Sequence, residues 1–166
     1  MVLNSMKKII VIGCPGSGKS TFSRALQKRT NLPLFYLDML FWKADKTTVS
    51  HEEFDERLGE IMQQDRWIID GNYGRTLELR LKECDTVFFF DLPVDVCLQG
   101  ARSRIGKTRE DMPWVEQELD EDFHRWILDF PKRELPHIYD LLEQYQNKHI
   151  VVFHSHEQVN EYLQTI

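Results

Sequence analysis

A glycine-rich stretch near the start of the chain has residue types and spacing suited to holding a polyphosphate. Residues 13–20 read GCPGSGKS, which matches the pattern G-x-x-x-x-G-K-[ST]. An apolar, β-branched run precedes it at 9–12, and a segment with helical character follows at 20–28. This strand–loop–helix context is the one that the pattern requires, so a chance glycine turn is a poor explanation of the match.

In such a loop the backbone N–H groups approach phosphate oxygens, and the start of the helix adds positive potential. We expect Lys19 to reach the β- and γ-phosphates of ATP, Ser20 to ligate Mg²⁺ and Thr21 to contact the α-phosphate. The predicted nucleotide-binding residues are Gly13, Pro15, Gly16, Ser17, Gly18, Lys19, Ser20 and Thr21.

Polar residues also follow four later apolar runs, at 34–37, 67–69, 87–90 and 150–153. They are Asp38, Asp70, Asp91 and His154. Short apolar runs that alternate with amphipathic segments predict parallel βαβ units, and ligands bind beyond the carboxyl ends of such strands. Asp91 is interpreted either as a metal-binding acid or as the cap of the helix that follows Pro93, and these two interpretations have equal weight.

Helical signals lie between these runs. Ser50 and Glu53 form a capping box. Apolar residues recur with a helical period over 114–130, and Pro131 is expected to interrupt that helix. The chain of 166 residues is therefore predicted to be a single α/β domain, 1–166.

Composition narrows the possible partners. The net charge of −6 makes nucleic acid an unlikely ligand for the surface as a whole. The three cysteines have no metal-ligand spacing and predict a reduced, cytoplasmic protein. No apolar run approaches the length of a membrane span. The expected partner is a small molecule, and the chain is expected to be a monomer or a homodimer.

Several motifs now resemble one group of proteins. IIDGNYGRT (68–76) resembles the D-G-F-P-R-T segment of adenylate kinases, and TRED (108–111) resembles the end of their lid. LDMLFW, WIIDGNY and DTVFFFDLP resemble patterns in adenylate-kinase-related proteins of the DNA topology modulation family. The resemblance spans nearly the whole chain. It implies a three-layer P-loop fold like that of nucleoside monophosphate kinases, with a five-stranded parallel sheet in the order 2-3-1-4-5.

The resemblance also implies roles for residues. Asp70 would contact Mg²⁺ through water or bind the acceptor, and Asn72, Tyr73 and Arg75 would face the acceptor. An acceptor-binding insert is expected at about 39–66. A short lid is expected at about 102–113, where Arg104 and Arg109 would neutralise charge during phosphoryl transfer. This lid is shorter than that of adenylate kinases, and residues 39–49 carry no recognisable AMP-binding pattern.

Three functions remain open at this point. The first is an ATP- and Mg²⁺-dependent kinase whose acceptor is a nucleotide or nucleoside. The second is a kinase of a hydroxyl metabolite, as in shikimate and gluconate kinases, with Asp38 as the base; a phosphate acceptor would instead need arginines such as Arg75 and Arg80. The third is a nucleotide-dependent regulator that binds DNA or a protein.

Overall fold

The computed structural model describes residues 5–166, so residues 1–4 of the predicted domain lie outside the described part. Five parallel strands form one sheet in the order β2-β3-β1-β4-β5, which confirms the predicted fold class and strand order. The strands are β1 Lys8–Gly13, β2 Leu34–Tyr36, β3 Trp67–Asp70, β4 Thr86–Phe90 and β5 His149–Phe153.

Eight helices connect and cover these strands within residues 5–166. They are α1 Lys19–Thr30, α2 Leu37–Phe41, α3 His51–Met62, α4 Gly74–Glu83, α5 Val94–Ser103, α6 Glu121–Arg133, α7 Leu135–Gln144 and α8 His156–Gln164. None of the helices in this part of the chain combines the length and the apolar character needed to cross a bilayer.

The two faces of the sheet are covered by different helices, as alternate residues of β4 demonstrate. Phe88 and Phe90 contact Phe22 of α1, with ring centroids 4.9 and 5.4 Å apart. Phe89 instead contacts Tyr139 of α7, at 5.3 Å. Because successive side chains of a strand point to opposite faces, α1 and α7 lie on opposite sides of the sheet. Burial on both faces explains why the central strands are continuous apolar runs.

The segment before α6 departs from the sequence prediction. Residues 114–120 are not helical, and α6 begins at Glu121, where the Asp120 carboxylate caps the N–H of Phe123 at 3.3 Å. Trp114 packs edge-on against Trp42, with ring centroids 5.0 Å apart, and the Gly106 N–H donates to the Glu116 carbonyl at 2.6 Å. These tertiary contacts hold the segment in a loop despite its helical period.

Two further expectations need correction. Pro131 lies inside α6, which ends only at Arg133, so the proline does not end the helix where it was expected to. Strand β2 ends at Tyr36, and Asp38 belongs to the short helix α2. The turn of α2 still leaves Asp38 near the carboxyl edge of the sheet, because β2 lies beside β3, which ends at Asp70.

The predicted capping box at Ser50 offers a test of local stability. The Ser50 hydroxyl accepts a hydrogen bond from the Glu53 N–H at 3.1 Å at the start of α3. We expect Ser50→Ala to lower the free energy of unfolding by about 1 kcal/mol, measured by urea denaturation. Ser50→Asp keeps an acceptor and should preserve stability; an equal loss in both variants would contradict a capping role.

Candidate active site at the glycine-rich loop

The glycine-rich loop is pressed against the backbone of helix α5. A Cβ added to Gly16 would lie 2.1 Å from the Cys97 carbonyl oxygen, and one added to Gly100 would lie 1.9 Å from the Gly16 carbonyl oxygen. Gly16 also has φ = +81°, which side chains rarely adopt. The loop therefore depends on glycine both in its own sequence and in the helix that supports it.

Within the loop, two side chains converge on one carbonyl oxygen. The Ser17 hydroxyl and the Lys19 ammonium donate to the Cys14 carbonyl at 2.6 and 2.9 Å. Ser17 is fully buried, so its hydroxyl serves the loop itself. Burial lowers the pKa of Lys19, which Asp70 opposes. Lys19 remains free to exchange a neutral carbonyl for the charged oxygens of a phosphate.

A cavity of about 1430 Å³ opens beside this loop and brings most of the predicted site residues together. Among the predicted nucleotide-binding residues, all except Ser17 line it. The predicted residues of the acceptor and the lid line it too: Asp38, Asp70, Asn72, Tyr73, Arg75, Arg104 and Arg109.

Two carboxylates line the cavity, and they differ in their hydrogen bonding. Asp38 Oδ1 accepts a hydrogen bond from the Tyr73 hydroxyl at 2.5 Å, and burial raises the pKa of Asp38. Asp70 is only 6% exposed, and burial raises its pKa to about 7 despite the nearby Lys19. Asp70 Oδ2 is buried without a hydrogen-bond partner in the described structure. Asp38 is therefore already oriented, whereas Asp70 has an unused acceptor.

Arg80 holds the loop that joins β3 to α4. It is completely buried, and its guanidinium donates to the carbonyl oxygens of Gly71 at 2.8 Å, of Tyr73 at 2.9 Å and of Asn72. Burial lowers the pKa of Arg80 to about 9. Arg80 is thus engaged by its own loop and is not available to a phosphate acceptor, the role considered for it from the sequence.

The same loop is tied to the glycine-rich loop and to α3. Asn72 Oδ1 accepts from the Gly13 N–H at 3.2 Å. Arg75 makes a bidentate pair with Asp55 of α3, at 2.7 and 3.2 Å, and both side chains are nearly half exposed. Arg75 therefore lies at the rim of the cavity with its charge already engaged.

The lid arginines lie over the cavity. Arg109 forms ion pairs with Asp111 at 3.2 Å and with Glu116 at 3.3 Å. Arg104 is largely buried, and its Nε has no hydrogen-bond partner in the described structure. Burial, with the repulsion of Arg109, lowers the pKa of Arg104. An unpartnered buried guanidinium N–H is a fitting donor for a phosphate oxygen.

Asp91 is not brought to this cavity, although it was expected as a metal ligand. Its carboxylate accepts a hydrogen bond from the Tyr139 hydroxyl and lies 3.7 Å from His154 Nδ1. The helix-cap alternative does not describe it either, because the cap position of α5 is Pro93 and has no side-chain hydrogen bond.

Sequence reasoning missed several residues of the cavity. His156 lines it and contacts the Ser17 carbonyl, with Nε2 and O 3.0 Å apart. Aromatic side chains form much of the remaining wall: Phe41, Trp42, Phe54, Trp114, Phe123, Trp126 and Phe130. The helical spacing of the last three was visible in the sequence, but it equally describes a helix face that packs on the core.

Comparisons with known proteins agree with this geometry. No family model matches the chain. Adenylate kinases from Thermotoga neapolitana and Thermotoga maritima are 26% and 27% identical over 88 residues, which span 52% of this chain and 39% of theirs. Shikimate kinase from Acinetobacter baumannii in complex with shikimate has a TM-score of 0.62 at 17% identity, over 99% of this chain and 94% of that chain. A gluconokinase from Sinorhizobium meliloti 1021 has a TM-score of 0.56 at 15% identity, over 95% of this chain and 90% of that chain.

The chain has the fold of the P-loop kinases. The structural neighbours span it almost completely, whereas the sequence match covers only about two-fifths of the length of the adenylate kinases. Similarity at this level supports a kinase without identifying the acceptor. The narrower likeness to DNA topology modulation proteins stays a prediction.

The contact between Gly16 and Gly100 predicts a sharp difference between two glycine variants. Gly100→Ala puts a methyl group into the backbone of the glycine-rich loop, so we expect lower ATP affinity and a loss of stability of about 1–3 kcal/mol. Gly59→Ala is the control, because nothing lies within 4 Å of its Cβ position in α3. It should bind ATP normally and be up to about 1 kcal/mol more stable. Calorimetric ATP titration distinguishes the two, and normal binding by Gly100→Ala would contradict the assigned contact.

The raised pKa of Asp70 predicts that the stability of the protein depends on pH. Its pKa is about 7 when folded, against about 4 in the unfolded chain, so between these values the folded protein binds more protons. This group therefore lowers stability as pH rises from about 4 to about 7. We expect Asp70→Asn to stabilise the ligand-free protein more at about pH 8 than at about pH 5, with a difference of roughly 2–3 kcal/mol between the two pH values. Urea denaturation at both pH values measures this, and a larger gain at the lower pH would refute it.

Proposed function

We propose that this protein is an ATP- and Mg²⁺-dependent kinase that transfers the γ-phosphoryl group to a hydroxyl group of a small molecule. The observation that carries this proposal is the oriented Asp38 carboxylate, which shares a cavity with Lys19 of the glycine-rich loop. A carboxylate with a raised pKa suits a general base, because its pKa lies closer to the pH at which the enzyme would work.

The arginines near the acceptor end of the cavity favour a hydroxyl over a phosphate acceptor. Arg80 is used by three carbonyl groups of its own loop, and Arg75 is paired with Asp55. A phosphate acceptor would meet the carboxylates of Asp38 and Asp70, and neither of these two arginines would be free to offset the repulsion. A neutral hydroxyl group would instead donate a hydrogen bond to Asp38.

The proposed reaction assigns one step to each group. The acceptor oxygen attacks the γ-phosphorus, its proton passes to an Asp38 carboxylate oxygen, and the bond between the γ-phosphorus and the β,γ-bridging oxygen breaks to release ADP. Lys19, Arg104 and Arg109 neutralise the phosphate oxygens, since positioning and positive charge provide most of the catalysis in phosphoryl transfer. The hydrogen bond from Tyr73 holds Asp38 in place.

The residues present fit a Mg²⁺ ion. Ser20 lies at the start of α1, and Asp70 has a buried carboxylate oxygen without a partner, so the two supply the oxygen ligands that this ion prefers. When bound there, magnesium would offset the negative charge of the phosphate groups. Asp91 lies elsewhere and has no part in this proposal.

A nucleoside monophosphate is the second candidate acceptor. The match to adenylate kinases over half of the chain favours it. The structural neighbours named shikimate kinase and gluconokinase favour a hydroxyl metabolite, and they span nearly the whole chain. The two candidates differ in which side chain contacts the acceptor, and mutation can therefore separate them.

Two variants of the cavity provide that separation. We expect Asp38→Asn to lower kcat by about 10²- to 10⁴-fold with little change in ATP affinity, because it removes the base. Arg75→Ala should have a much smaller effect. ATP consumption with panels of hydroxyl metabolites and nucleoside monophosphates measures both. The reverse order of effects would favour a phosphate acceptor, and an Lys19→Ala variant that still binds ATP normally would refute the kinase itself.

A further inference from the structure

The cavity extends beyond the catalytic groups to an aromatic surface on α6. Phe123, Trp126 and Phe130 are separated by three and four residues, so they share one face of the helix and line the cavity together. We call these three side chains the aromatic wall. Phe130 is buried, whereas Phe123 and Trp126 are partly exposed. A bound molecule that reaches past Asp38 would therefore meet aromatic ring faces.

A carboxylate stands at the end of the aromatic wall. Glu134 follows Phe130 by four residues and lines the same cavity. Its Oε2 lies 3.0 Å from the position that a Cβ of Gly74 would occupy, so the lack of a side chain on Gly74 leaves this carboxylate room. Within residues 5–166 the Glu134 carboxylate has no hydrogen bond and no ion pair, although it is only partly exposed.

The aromatic wall already accepts a cation from the protein itself. The guanidinium carbon of Arg133 lies 5.7 Å from the centre of the Trp126 ring. A cation over an aromatic face is attracted by the quadrupole of the ring, most strongly for tryptophan. The ring environment of α6 is thus compatible with positive charge, and the neighbouring Glu134 adds a negative charge to it.

Other carboxylates also line the cavity. Asp38, Asp70 and Asp111 all line it. Of the nearby cations, Arg109 is paired with Asp111 and Glu116. Arg75 is paired outside the cavity, and Lys46 is exposed at the rim. A carboxylate or phosphate of the acceptor would therefore be repelled where it lies beside Asp38 or Asp111, although Lys19, Arg104 and Arg133 also line the cavity.

We infer that the acceptor is an amino alcohol, in which a cationic nitrogen lies against the aromatic wall and Glu134 while a hydroxyl group meets Asp38. This inference rests on the proposed function and adds the charge of the substrate to it. Two consecutive residues connect the two ends, because Tyr73 donates to Asp38 and Gly74 lies beside Glu134. An acceptor that reaches from Asp38 to Glu134 would bridge the hydroxyl-binding and cation-binding groups.

Ligands of similar shape but different charge test whether the site prefers a cationic acceptor. The first set is glucosamine, glucose and gluconate, and the second is choline with its neutral isostere 3,3-dimethylbutan-1-ol. Each is titrated calorimetrically into the wild-type protein saturated with Mg²⁺ and a non-hydrolysable ATP analogue. We expect the cationic member of each set to bind about tenfold more tightly than its neutral counterpart, and gluconate to bind most weakly. Equal or tighter binding of the neutral or anionic members, or no binding of either cation at millimolar concentration, overturns the inference.

Variants then test which residue causes the preference for cationic ligands. Glu134→Gln should abolish the tenfold difference while leaving the affinity for glucose and the melting temperature unchanged. The control is Glu143→Gln, an exposed glutamate of α7 that does not line the cavity, and it should keep the preference. Arg133→Gln should retain or strengthen the binding of the cations. If it instead removes binding of gluconate that the wild type shows, Arg133 anchors an anionic acceptor and the inference is wrong.

The two proposals fail in different ways. Affinity for the ATP analogue and its loss in Lys19→Ala are measured without any acceptor, so a failure there refutes the proposed kinase. If the analogue binds normally and Asp38→Asn abolishes turnover of a neutral or anionic acceptor, the kinase stands and only the amino alcohol is excluded.

Discussion

The buried guanidinium of Arg80 is the interaction on which the geometry of the site depends. A charged side chain is costly to remove from water, and here the cost is offset by three carbonyl groups of residues 71–73 rather than by a carboxylate. These contacts hold three successive carbonyl groups of the loop on one side chain, and Thr76 donates to the Tyr73 carbonyl as well. The loop in turn carries Asn72, which binds the glycine-rich loop, and Tyr73, which binds Asp38. One arginine therefore holds a loop that contacts both the glycine-rich loop and Asp38.

The close approach of the glycine-rich loop to the backbone of α5 is the second constraint on the site. The glycine-rich loop lies so near α5 that neither Gly16 nor Gly100 has room for a side chain. Helix α5 leads directly into the lid, which carries Arg104 and Arg109 over the cavity. The glycine-rich loop and the lid arginines are thus positioned by the same close contact between backbones. Such positioning keeps charges oriented before the reaction, which is how electrostatic catalysis lowers a barrier.

Charged groups of both signs line the cavity, and burial shifts their pKa values. Burial lowers the pKa values of Lys19 and Arg104 and raises those of Asp38 and Asp70. The proposed reaction would use both kinds of group, because the cations suit the phosphate groups of ATP and Asp38 suits a hydroxyl group that donates a hydrogen bond.

Local patterns in the chain were enough to identify the glycine-rich loop, the five strands and the cap at Ser50, because each depends on neighbouring residues. The order of the strands was instead implied by the resemblance to a known family. The boundary of α6 was wrong because contacts between Trp114 and Trp42, which are distant in sequence, outweigh helical periodicity.

By itself the sequence determined that the chain forms a parallel sheet with a phosphate-binding loop, since apolar periodicity and glycine spacing are local properties. Only the tertiary structure decided which charged side chains are free. Arg75 and Arg80 look alike in the sequence, yet one is paired at the rim with Asp55 and the other is buried against carbonyl groups. Glu134 is likewise one of many acids in the sequence until the fold sets it beside Gly74 and the aromatic wall. Whether a charge is available to a ligand depends on its partners in space, and those partners come from distant parts of the chain.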